Sequence, residues 1–295
     1  MKDPGSASNC ADAFGTLPRL MRWPTLALVA LLLIAGCKKP EGGLKLVYSG
    51  AAGAKERVER RLRSLGVSGA VARAENGKLS VFLPGGRGAE GVKRTLRTPG
   101  VLEFSLVREG EVKPPETLPE GVVVETERAP SMLASSDSSH LRGAKRELVE
   151  AAAKTATFPE GRVLVSADQS SFRTWVVRPD PILTGDAVEK AEAKADPNIG
   201  GAVVMLTFDK AGGETFRKET GLNTGRRLAI IFDGTVVSAP VIMEEIPGGK
   251  AMLALGSKAS LADAKDMAVA IEGHSLPTDL QLEAESPYAA SEAPQ

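Results

Sequence analysis

Residues 70–83 read Ala70-Val71-Ala72-Arg73-Ala74-Glu75-Asn76-Gly77-Lys78-Leu79-Ser80-Val81-Phe82-Leu83. Asn-Gly between two short runs is a strong hairpin signal, because both turn residues must take positive φ. Leu79, Val81 and Leu83 alternate, so the second strand shows one apolar face. Upstream, Val58, Leu62 and Leu65 recur at helical spacing and Gly66 supplies a stop, while Leu44 to Tyr48 forms a short apolar strand. Downstream, a second helix runs from about Ala89 to Arg97, with Val92 and Leu96 inward and Thr98-Pro99-Gly100 as the break. Leu102, Phe104 and Leu106 then alternate along a further strand. The order βαββαβ predicts a ferredoxin-like unit, an antiparallel sheet with two helices on one face.

Residues 111–178 are less regular. Pro114, Pro115 and Pro119 and the run Ser131 to Ser139 mark loops. A strand over Val122 to Glu125, a helix over Arg142 to Ala153 and short strands near Val163 and Trp175 are expected there, an irregular connector overall. A second module follows. Thr184 is placed as the cap of a helix reaching Ala195, with Ala187, Val188 and Ala191 inward. Ala202 to Phe208 is a strand, and Asp209 caps a helix that Gly221 ends. Asp233-Gly234 joins Leu228–Phe232 to Thr235–Val237 as a second hairpin. Gly248-Gly249 leads into a strand over Ala251 to Leu255. Ser260 caps a last helix closed by Gly273, and Leu280 and Leu282 open a final strand. The fold class is α+β.

The N-terminus carries an address. Arg19 and Arg22 precede an apolar run from Leu26 to Ile34 that ends in Ile34-Ala35-Gly36-Cys37. That run is short of the roughly 20 residues a spanning helix needs, and its layout is that of a secretory signal. The ending resembles a bacterial lipobox, which implies lipid attachment at Cys37 and a bacterial envelope location, lipid-anchored and periplasm-facing. Met21 lies just before this signal and competes with Met1 as the start. The remaining alternative is an uncleaved anchor with a buried cysteine. Residues 1–36 hold three basic and two acidic groups of a neutral chain, so their removal leaves one net negative charge. Neither balance gives an electrostatic reason for nucleic-acid binding.

Chemical motifs are few. The chain has two Cys and two His in 295 residues, too few for a disulfide scaffold or a multi-thiolate metal site. Residues 86–91 match G-x-G-x-x-G, yet the preceding strand belongs to an antiparallel hairpin, whereas a dinucleotide fingerprint needs a parallel βαβ unit. A flexible strand-to-helix turn is the expectation. His140 in the serine-rich loop and His274 past a helix end lack ligand-spaced companions, and both are expected to be solvated or capping residues. No catalytic site, metal, cofactor or small-molecule substrate is expected, and the chain is not expected to be an enzyme. Arg57, Arg60, Arg61 and Arg63 sit among Glu56 and Glu59 on the first helix, a solvated ion-paired face. Arg57 and Arg61, four residues apart, are the candidates for contact with anionic lipid headgroups near the tether.

An ordered set of stretches resembles one family. Val58-Glu59-Arg60-Arg61-Leu62-Arg63-Ser64-Leu65-Gly66-Val67, Leu79 to Gly85 and Leu102-Glu103-Phe104 look like the base of the large periplasmic domain of SecD, a membrane subunit of the bacterial protein-export machinery. Leu183-Thr184-Gly185, Leu228 to Gly234, Val237-Ser238-Ala239-Pro240 and Gly273-His274-Ser275-Leu276-Pro277 resemble its head. The resemblance implies a base over residues 38–110 completed by a strand at about 274–285 and a head over 179–273; residues 286–295 read as a disordered tail. The family motif carries Asn where Arg63 stands here, and family members have a membrane helix where this chain has its lipobox. The family's proton-responsive groups lie in membrane helices with no counterpart in these residues. What carries over is a two-lobed extracytoplasmic domain that engages polypeptides. The implied partners are therefore membrane lipid at Cys37, unfolded secreted chains and Sec translocon components, with assistance to export or envelope-protein maturation and no proton-driven transport. Val241, Ile242 and Met243 on the head are the candidate polypeptide contacts, with ordinary core as the competing reading of the first two. The rival function is a structural or regulatory module docked on an envelope complex, with no client binding.

Overall fold

In a computed structural model, residues 42–128, 137–168, 170–196, 201–256 and 259–292 are described. Cys37 and the whole signal segment lie outside these residues, as does much of the serine-rich run. Asn76 (φ 52°) and Gly77 (φ 74°) close the hairpin of β2 (Val71–Glu75) and β3 (Lys78–Pro84) as their dipeptide requires. β3 pairs antiparallel with β1 (Gly43–Ser49), whose other edge takes β15 (Gln281–Tyr288). The resulting order, β15-β1-β3-β2, is the ferredoxin-like arrangement. Helices α1 (Lys55–Ser64) and α2 (Ala89–Arg97) cover it, with Val58, Leu62, Val92 and Leu96 packed against Leu46, Tyr48, Leu79, Val81 and Leu83.

One strand differs from the sequence expectation. β4 (Leu102–Leu106) does not close the base but crosses to another sheet, in the order β13 (Thr235–Ser238), β12 (Leu228–Phe232), β4, β9 (Leu183–Thr184). The closing strand is β15, from the far end of the chain, as the family resemblance implies. Alternation identified β4 as a strand but carries no information about its partner. Its burial shows why it is central: Leu102, Phe104, Ser105 and Leu106 are all buried, so both of its faces are covered.

In that second sheet β4 lies between β9 (Leu183–Thr184) and β12 (Leu228–Phe232), which continues into β13 (Thr235–Ser238) through Asp233-Gly234. A third sheet is β10 (Val188–Asp196), β11 (Gly201–Phe208) and β14 (Lys250–Ala254). Residues 185–195 are therefore not the expected helix: a single 3-10 turn over Gly185–Ala187 leads into strand β10. Ala191, Ala193 and Ala195 alternate with charged residues, and pairing with β11 overrides the helix propensity of Ala, Lys and Glu. Helix α4 (Lys210–Leu222) begins at Asp209, whose Oδ1 accepts from the Gly212 amide at 2.7 Å. Helix α5 (Leu261–Glu272) begins with a capping box between Ser260 and Asp263. Phe104, Phe208 and Phe216 meet edge-to-face or tilted at centroid distances of 5.0–5.5 Å and join β4, β11 and α4 in one core.

The expected irregular connector holds a four-stranded sheet of its own, β5-β6-β8-β7, made of β5 (Val122–Glu127), β6 (Ser138–Gly143), β7 (Arg162–Asp168) and β8 (Ser171–Val177). The helix expected from Arg142 starts only at Arg146 (α3, Arg146–Ala153), because Arg142 and Gly143 are paired in β6. A separate small core of Val112, Val122, Leu141, Val149, Ala152 and Val165 holds this layer together.

Candidate functional site

Helix α1 exposes Arg57 and Arg60 but turns Arg61 inward, three residues after Val58 and beside Leu62 on the buried stripe. Arg61 is wholly buried. Its Nη1 donates to the carbonyls of Thr95 (2.6 Å) and Thr98 (2.5 Å), and its Nη2 to those of Pro99 (2.6 Å), Ala270 (3.2 Å) and His274 (2.8 Å). These five acceptors are the C-terminal ends of α2 and α5, where unpaired carbonyls and the helix dipole favour a cation. Burial lowers the guanidinium pKa to about 10, against an opposing pull from Asp233, so it stays charged at neutral pH. Arg61 thus ties the two base helices to the helix that leads out of the head.

The surroundings are built around that side chain. A Cβ on Gly273 would stand 2.0 Å from Arg61 Cγ, and one on Gly100 would stand 2.5 Å from Nη2. His274 holds φ 61°, which points its carbonyl at the guanidinium. Asp233, at the tip of the second hairpin, accepts from the Val101 amide at 2.8 Å and donates its own amide to the Val101 carbonyl at 2.9 Å. Burial raises the Asp233 pKa despite the Val101 and Gly100 amides and Arg61. Four of the family-like stretches, around residues 61, 102, 233 and 274, therefore converge on one junction.

Several sequence candidates land elsewhere. Arg61 is no headgroup contact, since it is buried and both of its terminal nitrogens are taken by backbone carbonyls. Arg57 is exposed, and its Nη1 donates to the Ser275 carbonyl at 2.7 Å. Ile242 is core, 3% exposed, while Val241 is half-buried and bridges Arg227. Met243 alone of the three projects, at 81% exposure. Leu222, at the end of α4, is 71% exposed and lies three residues before Gly225, whose amide donates to the Ile242 carbonyl. Met243 and Leu222, exposed on segments that this bond joins, thus replace the expected Val241–Met243 run. His140 is not solvated: it lies in β6, is 4% exposed and stands against Arg173. His274 Nδ1 lies 3.4 Å from Asp186 Oδ1.

A groove of about 600 Å3 opens between the end of α1 (Ser64, Leu65), α5 (Ala268, Val269) and four consecutive residues of β10, Ala191 to Lys194. Consecutive lining means that the groove meets the strand along its edge, which is unpaired in the sheet order. Glu272 spans its floor, accepting from Ser64 Oγ at 3.1 Å and from the Ala191 amide at 3.2 Å. Among the described residues, no group of three or more His, Cys, Asp or Glu is placed to hold a metal ion. No helix among them is long and apolar enough to cross a membrane.

Residues 161–278 match the family model described as SecDF, P1 head subdomain. The SecD translocase subunit of Calditerrivibrio nitroreducens is 36% identical over 108 residues, covering 37% of this chain and 20% of that protein. The SecD subunit of Syntrophobacter fumaroxidans is 28% identical over 228 residues, covering 77% of this chain and 37% of that protein. A crystal structure of SecDF in a super-membrane-facing form shares the fold over 89% of this chain and 33% of its own, with a TM-score of 0.57 and 26% identity. The chain spans only about a fifth of the first relative's length. The head match, the relatives and the shared architecture together support a SecD periplasmic domain in this chain.

Proposed function

We propose that this protein is a SecD-like extracytoplasmic factor that binds polypeptides and assists protein export or envelope-protein maturation. The observation that carries the reading is the exposure of two large apolar side chains on the head, Met243 at 81% and Leu222 at 71%, on segments joined by the Gly225–Ile242 hydrogen bond beside a well-packed core. Large apolar side chains left in water offer contact to apolar segments of another chain. The unpaired edge of β10 along the groove suits the same class of ligand, because strand edges offer hydrogen bonds that any extended backbone can meet. The likeness to export subunits sets the setting, and attachment through Cys37 would keep the domain at the membrane. The proposal is a binding role: it assigns no catalytic step and no proton-driven transport.

The test is purification of the lipidated chain from cells engaged in secretion, followed by identification of what accompanies it. A heterogeneous set of unfolded exported chains, reduced when Met243 and Leu222 are both changed to Ser, is expected. One stoichiometric partner unaffected by those changes would favour fixed docking on an envelope complex instead. In the same preparation, Cys37→Ala is expected to abolish the mass increment of the lipid and release the protein from membranes. An unchanged mass would remove the anchor from the proposal.

A further inference from the structure

Where β5, β6 and β8 meet the start of β12, a cluster of charge surrounds one buried histidine, with His140 and Arg173 inside and Glu125 and Glu127 at its partly exposed rim. His140 stands directly across from Glu125 in the β5–β6 ladder. Its Nδ1 lies 3.0 Å from Arg173 Nη2, and an arginine can only donate, so Nδ1 is the acceptor and carries no proton. Its Nε2 faces Glu125 Oε2 at 3.3 Å without the alignment of a full hydrogen bond. Arg173, itself 8% exposed, is held by three groups at once. It donates to both carboxylate oxygens of Glu127, at 2.9 and 3.2 Å, and its guanidinium carbon lies 4.1 Å over the Trp175 ring. His140 is the third.

The charged groups facing this cluster come from every neighbouring element. β5 supplies Glu125 and Glu127, and β6 supplies Arg142, which donates to Glu125 at 2.8 Å. Arg227, just before β12, lies 3.7 Å from Glu127 and 3.6 Å from Glu109. Glu127 therefore links Arg173 in one sheet to Arg227 at the entry of another.

We propose that His140 is an acid-sensitive pin in the joint between the β5-β6-β8-β7 sheet and the β13-β12-β4-β9 sheet: protonation of Nδ1 turns an acceptor into a donor against Arg173 and displaces the guanidinium from its seat on Trp175. Two donors and two cations would then face each other across 3.0 Å in a buried site. Burial and the Arg173 charge hold the imidazole neutral below its ordinary range, against the pull of Glu127 and Glu125. The joint is accordingly closed at neutral pH and opens under acid. Such a device acts on the packing of the two layers, independently of which polypeptide or partner the head contacts.

Trp175 is the built-in reporter. In the full chain carrying Trp23→Phe it is the single tryptophan. Its emission is expected to shift to longer wavelength in a one-proton transition whose midpoint lies below the ordinary histidine pKa of about 6.5. His140→Gln, whose amide oxygen can still accept from Arg173, is expected to lose the transition while keeping the neutral-pH emission and circular dichroism. Nitrogen-15 shifts of the His140 ring in the unsubstituted chain give a reading that needs no variant at that position. They are expected to show Nδ1 unprotonated at pH 7, with a midpoint below 6.5. A transition that persists in His140→Gln, a flat parent titration, or an Nδ1 that is protonated at pH 7 would each overturn the proposal.

Discussion

Arg61 is a cation whose five hydrogen-bond partners are all backbone carbonyls. The Pro99 carbonyl keeps the Leu276 amide at 2.7 Å, but the other four lose this donor in a buried place if the guanidinium is removed, and an unsatisfied buried group costs about 1–3 kcal/mol before water or rearrangement compensates. Arg61→Met is therefore expected to lower stability by about 3 kcal/mol or more, read as a fall in the urea midpoint. Gly273→Ala tests the same junction from the other side, because its Cβ would overlap Arg61 Cγ, and a loss of about 2 kcal/mol is expected. A wild-type midpoint in either variant would mean that the junction contributes little. The residue was legible in principle: positions 58, 61, 62 and 65 make the stripe i, i+3, i+4, i+7, and Arg61 sits in it among apolar residues. Its charge suggested a solvated face, since a lone sequence does not show carbonyls that arrive from residues 95–99 and 270–274. The titrating groups of the β5–β6 layer give a prediction with a defined sign. His140, held neutral by burial and by Arg173, contributes stability that is full above about pH 6.5 and declines as pH falls through that value toward its folded pKa. Glu125 is held low by Arg142, and Glu127 is held low by Arg173 despite its burial. Both contribute stability above their ordinary range that is lost as pH falls through their folded values. Urea midpoints are thus expected to decline first as pH falls below about 6.5 and again below about pH 4.5. In His140→Gln the first decline is expected to vanish and the second to remain.

At the scale of elements, the signals that worked were local. Asn76-Gly77 and Asp233-Gly234 each hold two consecutive residues at positive φ, a requirement written in the dipeptide itself. Ser260 and Asp263 form a capping box because their spacing allows reciprocal bonds, and Ser260→Ala is expected to cost about 1 kcal/mol in a thermal or urea melt. The elements that sequence reading misplaced were those decided by distant partners. Residues 188–196 are rich in Ala, Lys and Glu and look helical alone, yet they pair along their length with β11. β4 was recognisable as a strand, but its partners are β12 and β9, about 80 or more residues further along the chain. The β5-β6-β8-β7 sheet was obscured by prolines and serines in its connections, and only its strand-sized apolar runs were visible.

For the molecule as a whole, the architecture joins a base assembled from both ends of the described chain to a head assembled from its middle. β1 and β15 lie side by side, so the segment that begins at Gly43 and the one that ends at Tyr288 are neighbours. Arg61 then locks the exit of α5 to α1 and α2, and the groove runs beside that lock. Function was less legible than fold, because a binding surface is defined by what remains exposed. The run Val241 to Met243 located the region, but only solvent exposure separates Met243 from the buried Ile242 and adds Leu222 from another element. The central claim is that this surface touches exported polypeptides. Its most direct test is a photoreactive side chain placed at position 243 in the full-length protein and activated during secretion, with an equivalent probe at the exposed, distant Arg73 as control. Adducts with many different unfolded exported chains at 243, and few at 73, are the predicted result. No adduct at 243, or the same adducts at both positions, would contradict it.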